Sequence, residues 1–223
     1  VKAREALDAG RFGRLVLGTV RVRWCRDQKY YAQDAWRGTW AMDGGVVANQ
    51  ASHHVDMLQW FMGPVESVHA RGARALVEIE AEDTAVATLR FRNGARGIVE
   101  ATGATRPKDL EGSLSVLGAG GSVEIGGFAV NEIRHWRFAE ARDDDSEVLA
   151  RYSVNPPNVY GFGHHAYYDH VVQVLRGRCA PLVDGVEGRS SLELVAAIYE
   201  SMASGAEVPL PLRTVHSRLG RAA

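Results

Sequence analysis

Hydrophobic and polar positions alternate from Arg14 to Trp24. Val16, Val20, Val22 and Trp24 fall on one side, and Leu15, Leu17, Thr19, Arg21 and Arg23 on the other. A period of two predicts a strand. Residues 25–46 then lose periodicity and form a long polar loop carrying Tyr30, Tyr31, Trp36, Arg37 and Trp40. From about Val47 the period becomes helical. Val55, Leu58, Phe61 and Met62 share a face, and Gly63-Pro64 stops the helix, since glycine suits the position after a helix and proline cannot continue one. On one unbroken helix, Asn49 and His53 lie four residues apart on a common face, with Asp56 three residues further.

Alternation then returns. Val65–Leu76 and Thr84–Phe91 read as strands, the latter with Ala85, Ala87, Leu89 and Phe91 on one face. Asn93-Gly94 predicts a two-residue turn into Ala95–Ala104. Gly112–Leu117, Ser122–Ile125 and Asn131–Phe138 continue the meander, the first two joined by a turn at Gly118–Gly121. Residues 140–147, with three consecutive aspartates, read as a solvated loop, and residues 153–163 as an irregular Pro-, Gly- and Asn-rich segment. His164–Leu175 predicts a helix with Tyr168, Val171, Val172 and Leu175 inward, capped by Gly177. Ser190–Ala203 predicts another, with Leu192, Val195, Ala196, Tyr199 and Met202 as its stripe. The fold class expected is α+β: an open, mainly antiparallel sheet of six or more strands with helices on one face. Val16, Val20, Leu58, Phe61, Leu89, Phe91, Val171 and Leu192 are its expected core. The other face mixes Leu15, Leu17, Val86 and Thr88 with polar residues, and the basic segment after Pro211 is expected to fray.

Composition narrows the function classes. The chain has 223 residues, 46% hydrophobic and 24% charged, with a net charge of −1. That is enough for one well-cored domain, and it offers no basic field for nucleic acid or an anionic membrane. Its apolar runs are too short to span a bilayer. Two cysteines, Cys25 and Cys179, form no disulfide framework, which suits a reducing cytoplasm. No G-x-G-x-x-G follows a strand, so no dinucleotide-binding fingerprint is present.

Several residues can carry chemistry. His53 is the acid/base candidate, because imidazole exchanges a proton near neutral pH. Asn49 can donate and accept hydrogen bonds but relays no proton. Arg37 offers a fork for a carboxylate or phosphate, or forms a surface ion pair; Trp36 is a sugar platform or core. Tyr160 and His164, entering a helix, can meet a phosphate at its N-terminus. For His165 and His170 a structural role is favoured. A metal-dependent hydrolase using His53, Asp56, His164 and Asp169 is a competing reading, as is a dimerisation module without chemistry.

Three stretches carry a resemblance over most of the chain: WRGTWxxDGG…NQxxHxxDxLQWxxGPVESV from Trp36, EDTAVATLRFRNGARGIVEATGA over 82–104, and PLVDGVEGRSSLELVAAIYESMASG over 181–205. Together they resemble the second domain of the Gfo/Idh/MocA oxidoreductases. Asn49-Gln50 before His53, and the segment from Asn155 to His164, resemble the branch that oxidises UDP-N-acetylglucosaminuronate at C3. The resemblance implies an NAD- or NADP-dependent dehydrogenase acting on a sugar hydroxyl. His53 and Asn49 are then catalytic, and Trp36, Arg37, Tyr160 and His164 bind the substrate. It implies a homodimer or homotetramer paired through the sheet face. It implies a cofactor held mainly by an upstream Rossmann domain, with a Glu-Lys-Pro motif that this chain lacks. Residues 1–10 are then the end of a linker helix, 11–210 the substrate-binding and oligomerisation domain, and 211–223 a tail. Most of the family has Asp where Asn49 stands, which puts a proton relay through this position in doubt.

Overall fold

The computed structural model describes residues 1–127, 130–154 and 163–221. The alternating segments form one open eight-stranded sheet. Its strands are β1 (Leu15–Arg23), β2 (Val65–Ala73), β3 (Thr84–Phe91), β4 (Arg96–Thr102), β5 (Glu111–Gly118), β6 (Gly121–Gly126), β7 (Glu132–Phe138) and a short β8 (Val208–Pro209). Their order is β7-β6-β5-β1-β4-β3-β2-β8. Every neighbouring pair is antiparallel except β1 and β4. The expected fold class is therefore found, with the meander split because β1 inserts between β4 and β5.

The described helices are α1 (Lys2–Asp8), α2 (Gln28–Tyr31), α3 (Val46–Asn49), α4 (Ser52–Met62), α5 (Asp145–Arg151), α6 (His164–Leu175) and α7 (Gly185–Ser204). α4 packs on β1 and β5, α7 on β2 and α5 on β7. Burial of Val20, Val22, Leu58, Phe61, Leu89, Phe91, Leu114, Leu194 and Ile198 makes one continuous core between these helices and one sheet face. Each such side chain contributes roughly 1.5–3 kcal/mol on removal from water. Gly18 lets α4 lie this close. A Cβ there would sit 2.6 Å from Met62 Cγ and 2.7 Å from Leu58 Cδ1.

Several expectations are corrected. Val16 is exposed, because a bulge between Leu15 and Leu17 leaves it unpaired. The Asn93-Gly94 turn is not the two-residue form. Gly94 alone has positive φ (87°), and its N–H bonds to Phe91, a tight turn followed by a one-residue bulge. None of the residues of α6 is buried; Tyr168, Val172 and Leu175 face outward. α7 starts earlier than its stripe suggests. Asp184 caps it, accepting from Val186 and Glu187, and Leu194 rather than Leu192 faces the core. The long loop contains α2, capped by Asp27.

Two charged segments are also tied down. Asp145 opens α5 and takes a fork from Arg11 together with Trp136 Nε1. The Arg11 guanidinium holds this carboxyl far below the usual carboxylate range. The segment after Pro211 is not frayed at its middle. The Glu200 carboxylate, 4% exposed, accepts from the backbone of Val215, His216 and Ser217 and from His216 Nδ1. Burial pushes the Glu200 carboxyl up, but these donors outweigh it and bring it down to about 2.

Candidate active site

The stretch expected as one helix is two. Gln50 and Ala51 both direct their N–H groups to Val46 O, and the ladder restarts as His54 and Val55 bond back to Ala51. This wide turn separates Asn49, ending α3, from His53, in the first turn of α4. The two residues therefore do not share one helix face.

Asn49 is fully occupied. Its Nδ2 donates to the Asp43 carboxylate; its Oδ1 accepts from Gln50 Nε2 at 2.7 Å and from the Tyr30 hydroxyl at 3.4 Å. Asp43 also receives the Gly38 N–H. Tyr30 belongs to a ladder of stacked rings and guanidinium groups. Arg26 lies 5.0 Å from the Trp24 ring and 5.3 Å from Tyr30. Arg37 lies 4.3 Å from Tyr30 and 4.9 Å from Trp36. The ladder links Asn49 to the cleft where His53 stands.

That cleft, about 670 Å³, is bordered by His53, Trp24, Arg26, Asp109 and Arg134, with His54 at its base. Its charges are mixed: Arg26 pairs with Asp109 at 3.1 Å and Arg134 with Glu132 at 3.7 Å. The His53 side chain is exposed to the cleft and makes no hydrogen bond among the described residues. His54 was not singled out from sequence. It is 3% exposed, stands edge-on to Trp24 at 5.7 Å, and neither ring nitrogen has a hydrogen-bond partner among the described residues. Burial pushes its imidazole down to about 4, so it is neutral at physiological pH. The available signal was a polar residue at an inward helical position, directly before Val55. Trp24, Arg26 and Arg134 were also missed as site residues, because the segment after β1 and strand β7 are brought to one cleft only across β5 and β6.

The other expected site residues lie outside this cleft. Trp36 is exposed. Arg37 pairs with Asp34 at 2.9 Å and borders a separate hollow of about 500 Å³ that Asp34, Glu78 and Glu80 also line. His164 opens α6 on the exposed surface. Tyr160 lies outside the described residues. His170 is structural: its Nε2 accepts from the Leu182 N–H, and its Nδ1 faces Cys179. Asp56 accepts the Ser191 hydroxyl. Among the described residues no three His, Cys, Asp or Glu side chains converge as a metal site would require, so the set His53, Asp56, His164 and Asp169 is not assembled.

The sequence matches the family model described as the oxidoreductase family, C-terminal alpha/beta domain, over residues 4–210. The structure is similar to that of the WlbA dehydrogenase from Bordetella pertussis, solved with NADH and UDP-GlcNAcA. Identity is 50%, the TM-score is 0.88, and the match covers 94% of this chain and 60% of that one. It is similar also to the WlbA dehydrogenase from Chromobacterium violaceum, solved with the same two ligands: 47% identity, TM-score 0.84, covering 94% and 58%. A levoglucosan dehydrogenase complex with NADH, 19% identical with TM-score 0.79 over 94% of this chain and 62% of that one, shares the fold. No curated protein matches. The chain thus spans about three-fifths of the length of the WlbA enzymes. No described helix is long and apolar enough to cross a membrane. By this match the chain belongs to the Gfo/Idh/MocA oxidoreductase family, as its C-terminal domain.

Proposed function

We propose that this chain is the substrate-binding and catalytic-histidine part of an NAD(P)-dependent dehydrogenase that oxidises the C3 hydroxyl of a UDP-linked N-acetylated uronic acid. The observation that carries this reading is the cleft. His53, with no side-chain hydrogen bond among the described residues, lines the same cleft as Trp24 and the Arg26–Asp109 and Arg134–Glu132 pairs, in a chain 50% identical in sequence to an enzyme solved with NADH and UDP-GlcNAcA. Sugar hydroxyls both donate and accept, so a mixed lining suits them, while the Trp24 face suits ring C–H groups. His53 holds the reacting hydroxyl and takes its proton; Asn49, fixed by Asp43, Gln50 and Tyr30, holds the sugar without moving a proton. Tyr160 and His164 are assigned to the nucleotide-linked end, and Trp36 and Arg37 to the outer rungs of the ladder.

NAD(P), when bound, supplies the hydride acceptor. The described residues fit only the edge of such a site, since they contain no strand–glycine-turn–helix unit to cradle a pyrophosphate; that part belongs to residues outside this chain. Residues 11–210 then bind substrate and pair subunits, residues 1–10 end a connecting helix, and 211–223 form a tail. The open sheet face carries Val16, Val86, Ile98 and Leu117, each more than a third exposed, and is assigned to homo-oligomer contact. Ile98→Glu lowers the sedimenting mass if this is right. Both cysteines are free, consistent with a reducing cytoplasm.

The test is to incubate the full-length enzyme with NAD or NADP and UDP-linked N-acetylglucosaminuronate, and to locate the new carbonyl by NMR. A C3 ketone supports the reading. Oxidation elsewhere, or turnover only of free sugars, overturns it.

A further inference from the structure

We propose that Glu82 and Tyr199 are positioning residues that clamp the start of α3 and thereby set Asn49 and His53. The inference rests on the proposed reading of those two residues. α3 is four residues long, and its N-cap, Gly45, has no side chain with which to satisfy the free N–H groups at the helix start. Two distant residues supply what it lacks. Val46 N–H donates to the Glu82 carbonyl at 2.9 Å, and Val47 N–H to Glu82 Oε1 at 3.0 Å. The Tyr199 hydroxyl accepts from Gly45 N–H at 2.8 Å and Ala48 N–H at 3.3 Å, and donates to Glu82 Oε1 at 2.8 Å.

The three parts come from three places: the glycine turn after the long loop, the β2–β3 connection, and the C-terminal half of α7. All are buried; Glu82 is 5% and Tyr199 2% exposed. Gly45 is required for the approach, because a Cβ there would fall inside the Glu82 carbonyl and carboxyl. The clamp has little slack. A shift of Glu82 would take the start of α3 with it, and α3 carries Asn49 at its far end and runs through the wide turn into His53. Burial pushes the Glu82 carboxyl up to about 7, against the pull of the Val47 N–H and the Tyr199 hydroxyl. A neutral side chain of the same shape is therefore tolerated there, and glutamine can replace it while still accepting both hydrogen bonds.

The experiment compares Glu82→Gln, Glu82→Leu and Tyr199→Phe in the full-length enzyme. Hydrogen exchange read by mass spectrometry over residues 44–53 is paired with steady-state kinetics on the UDP-linked uronate. Glu82→Leu and Tyr199→Phe are expected to speed exchange across 44–53 by about ten-fold or more, as local opening becomes easier. They are expected to lower kcat by about ten-fold or more with KM changed less than about three-fold, since the reacting geometry is displaced and binding is kept. Glu82→Gln is expected to stay within about three-fold of the parent in kcat and exchange. Unchanged exchange in Tyr199→Phe, unchanged kcat despite faster exchange, or a Gln variant as impaired as Leu would each overturn the proposal. Should Glu82→Leu fail to fold, Tyr199→Phe decides, since it removes one oxygen. If the parent enzyme oxidises no such uronate, the reading of the reaction falls, and exchange at 49–53 decides the clamp by itself.

Discussion

Asn49 and His53 stand four residues apart, and their surroundings are opposite. Every polar atom of the Asn49 side chain is engaged by Asp43, Gln50 or Tyr30, whereas the imidazoles of His53 and its neighbour His54 have no hydrogen-bond partner among the described residues. His53 is exposed and meets water, whereas His54 is buried, and a buried polar group without a partner costs about 1–3 kcal/mol, so a fold keeps one only where something else gains. Asn49 is thus already arranged before a ligand comes. The two imidazoles, at the edge and base of one cleft, have hydrogen-bonding capacity still to be used. The difference separates a side chain fixed by its neighbours from side chains left open to the cleft.

The most severe break in this comparison is His53→Ala. It removes the group assigned to the reacting hydroxyl and no side-chain hydrogen bond made among the described residues. In the full-length enzyme kcat is expected to fall by about 10²–10⁴-fold, while the urea midpoint stays within experimental error. Steady-state kinetics beside equilibrium unfolding check this. A harmless His53→Ala, with equal loss from His170→Ala, would move the site elsewhere.

His54 sharpens the comparison through pH. Its folded pKa, pushed down to about 4 by burial, lies below its ordinary value of 6.5. Between these values the unfolded chain binds a proton that the folded chain refuses, so stability is full above about pH 6.5 and falls as pH drops toward 4. The loss approaches about 3 kcal/mol once both states are protonated. His54→Leu, close in volume, should flatten this acid limb and raise stability by about 1–3 kcal/mol by removing two unpartnered nitrogens. Urea unfolding at pH 7 and pH 5 measures both. An acid limb as steep as the parent's would show that His54 is not the group titrating. Glu82 has the opposite sign. Its carboxyl is raised to about 7, so its contribution is full below about pH 4.5 and lost as pH rises through 7.

What was legible in the sequence follows from how local its cause is. Alternation over 84–91 and the helical stripe of Val55, Leu58, Phe61 and Met62 are set by neighbours in the chain, and each of those residues is buried as read. Val16 obeyed the same pattern and is exposed, because one bulge breaks the pairing that alternation presumes. The stripe of α6 has the right period, yet no described element packs closely on it. The break after Asn49 was hidden for a different reason. Val46–Met62 has the composition of one helix, and only the backbone turn at Gln50–Ala51 divides it. His53 and Asn49 were singled out through a resemblance. The cleft around His53 was not, because Trp24, Asp109 and Arg134 meet there through sheet pairing over long separations.

The smallest expected effect belongs to Arg37, whose two readings the sequence left open. Its guanidinium is stacked between Tyr30 and Trp36 and gives its Nε to Asp34, an exposed partner. The hollow beside it is also lined by Glu78 and Glu80, so a carboxylate or phosphate entering there would meet three acidic side chains. Arg37 is therefore expected to act as a strut that keeps Tyr30 on Asn49 rather than as a grip on an anion. Arg37→Lys keeps the charge and loses the flat stacking surface. It should leave the urea midpoint nearly unchanged, since solvent-screened ion pairs and stacked cations contribute little. For a strut, KM for the sugar nucleotide should move by less than about three-fold while kcat falls slightly, since Tyr30 loosens but no ligand contact is lost. For a bidentate grip, KM should rise by about ten-fold or more with kcat preserved, because lysine cannot replace the fork. Titration of KM against stability in this one variant separates the two, and a large rise in KM would bring the hollow beside Arg37 into the site.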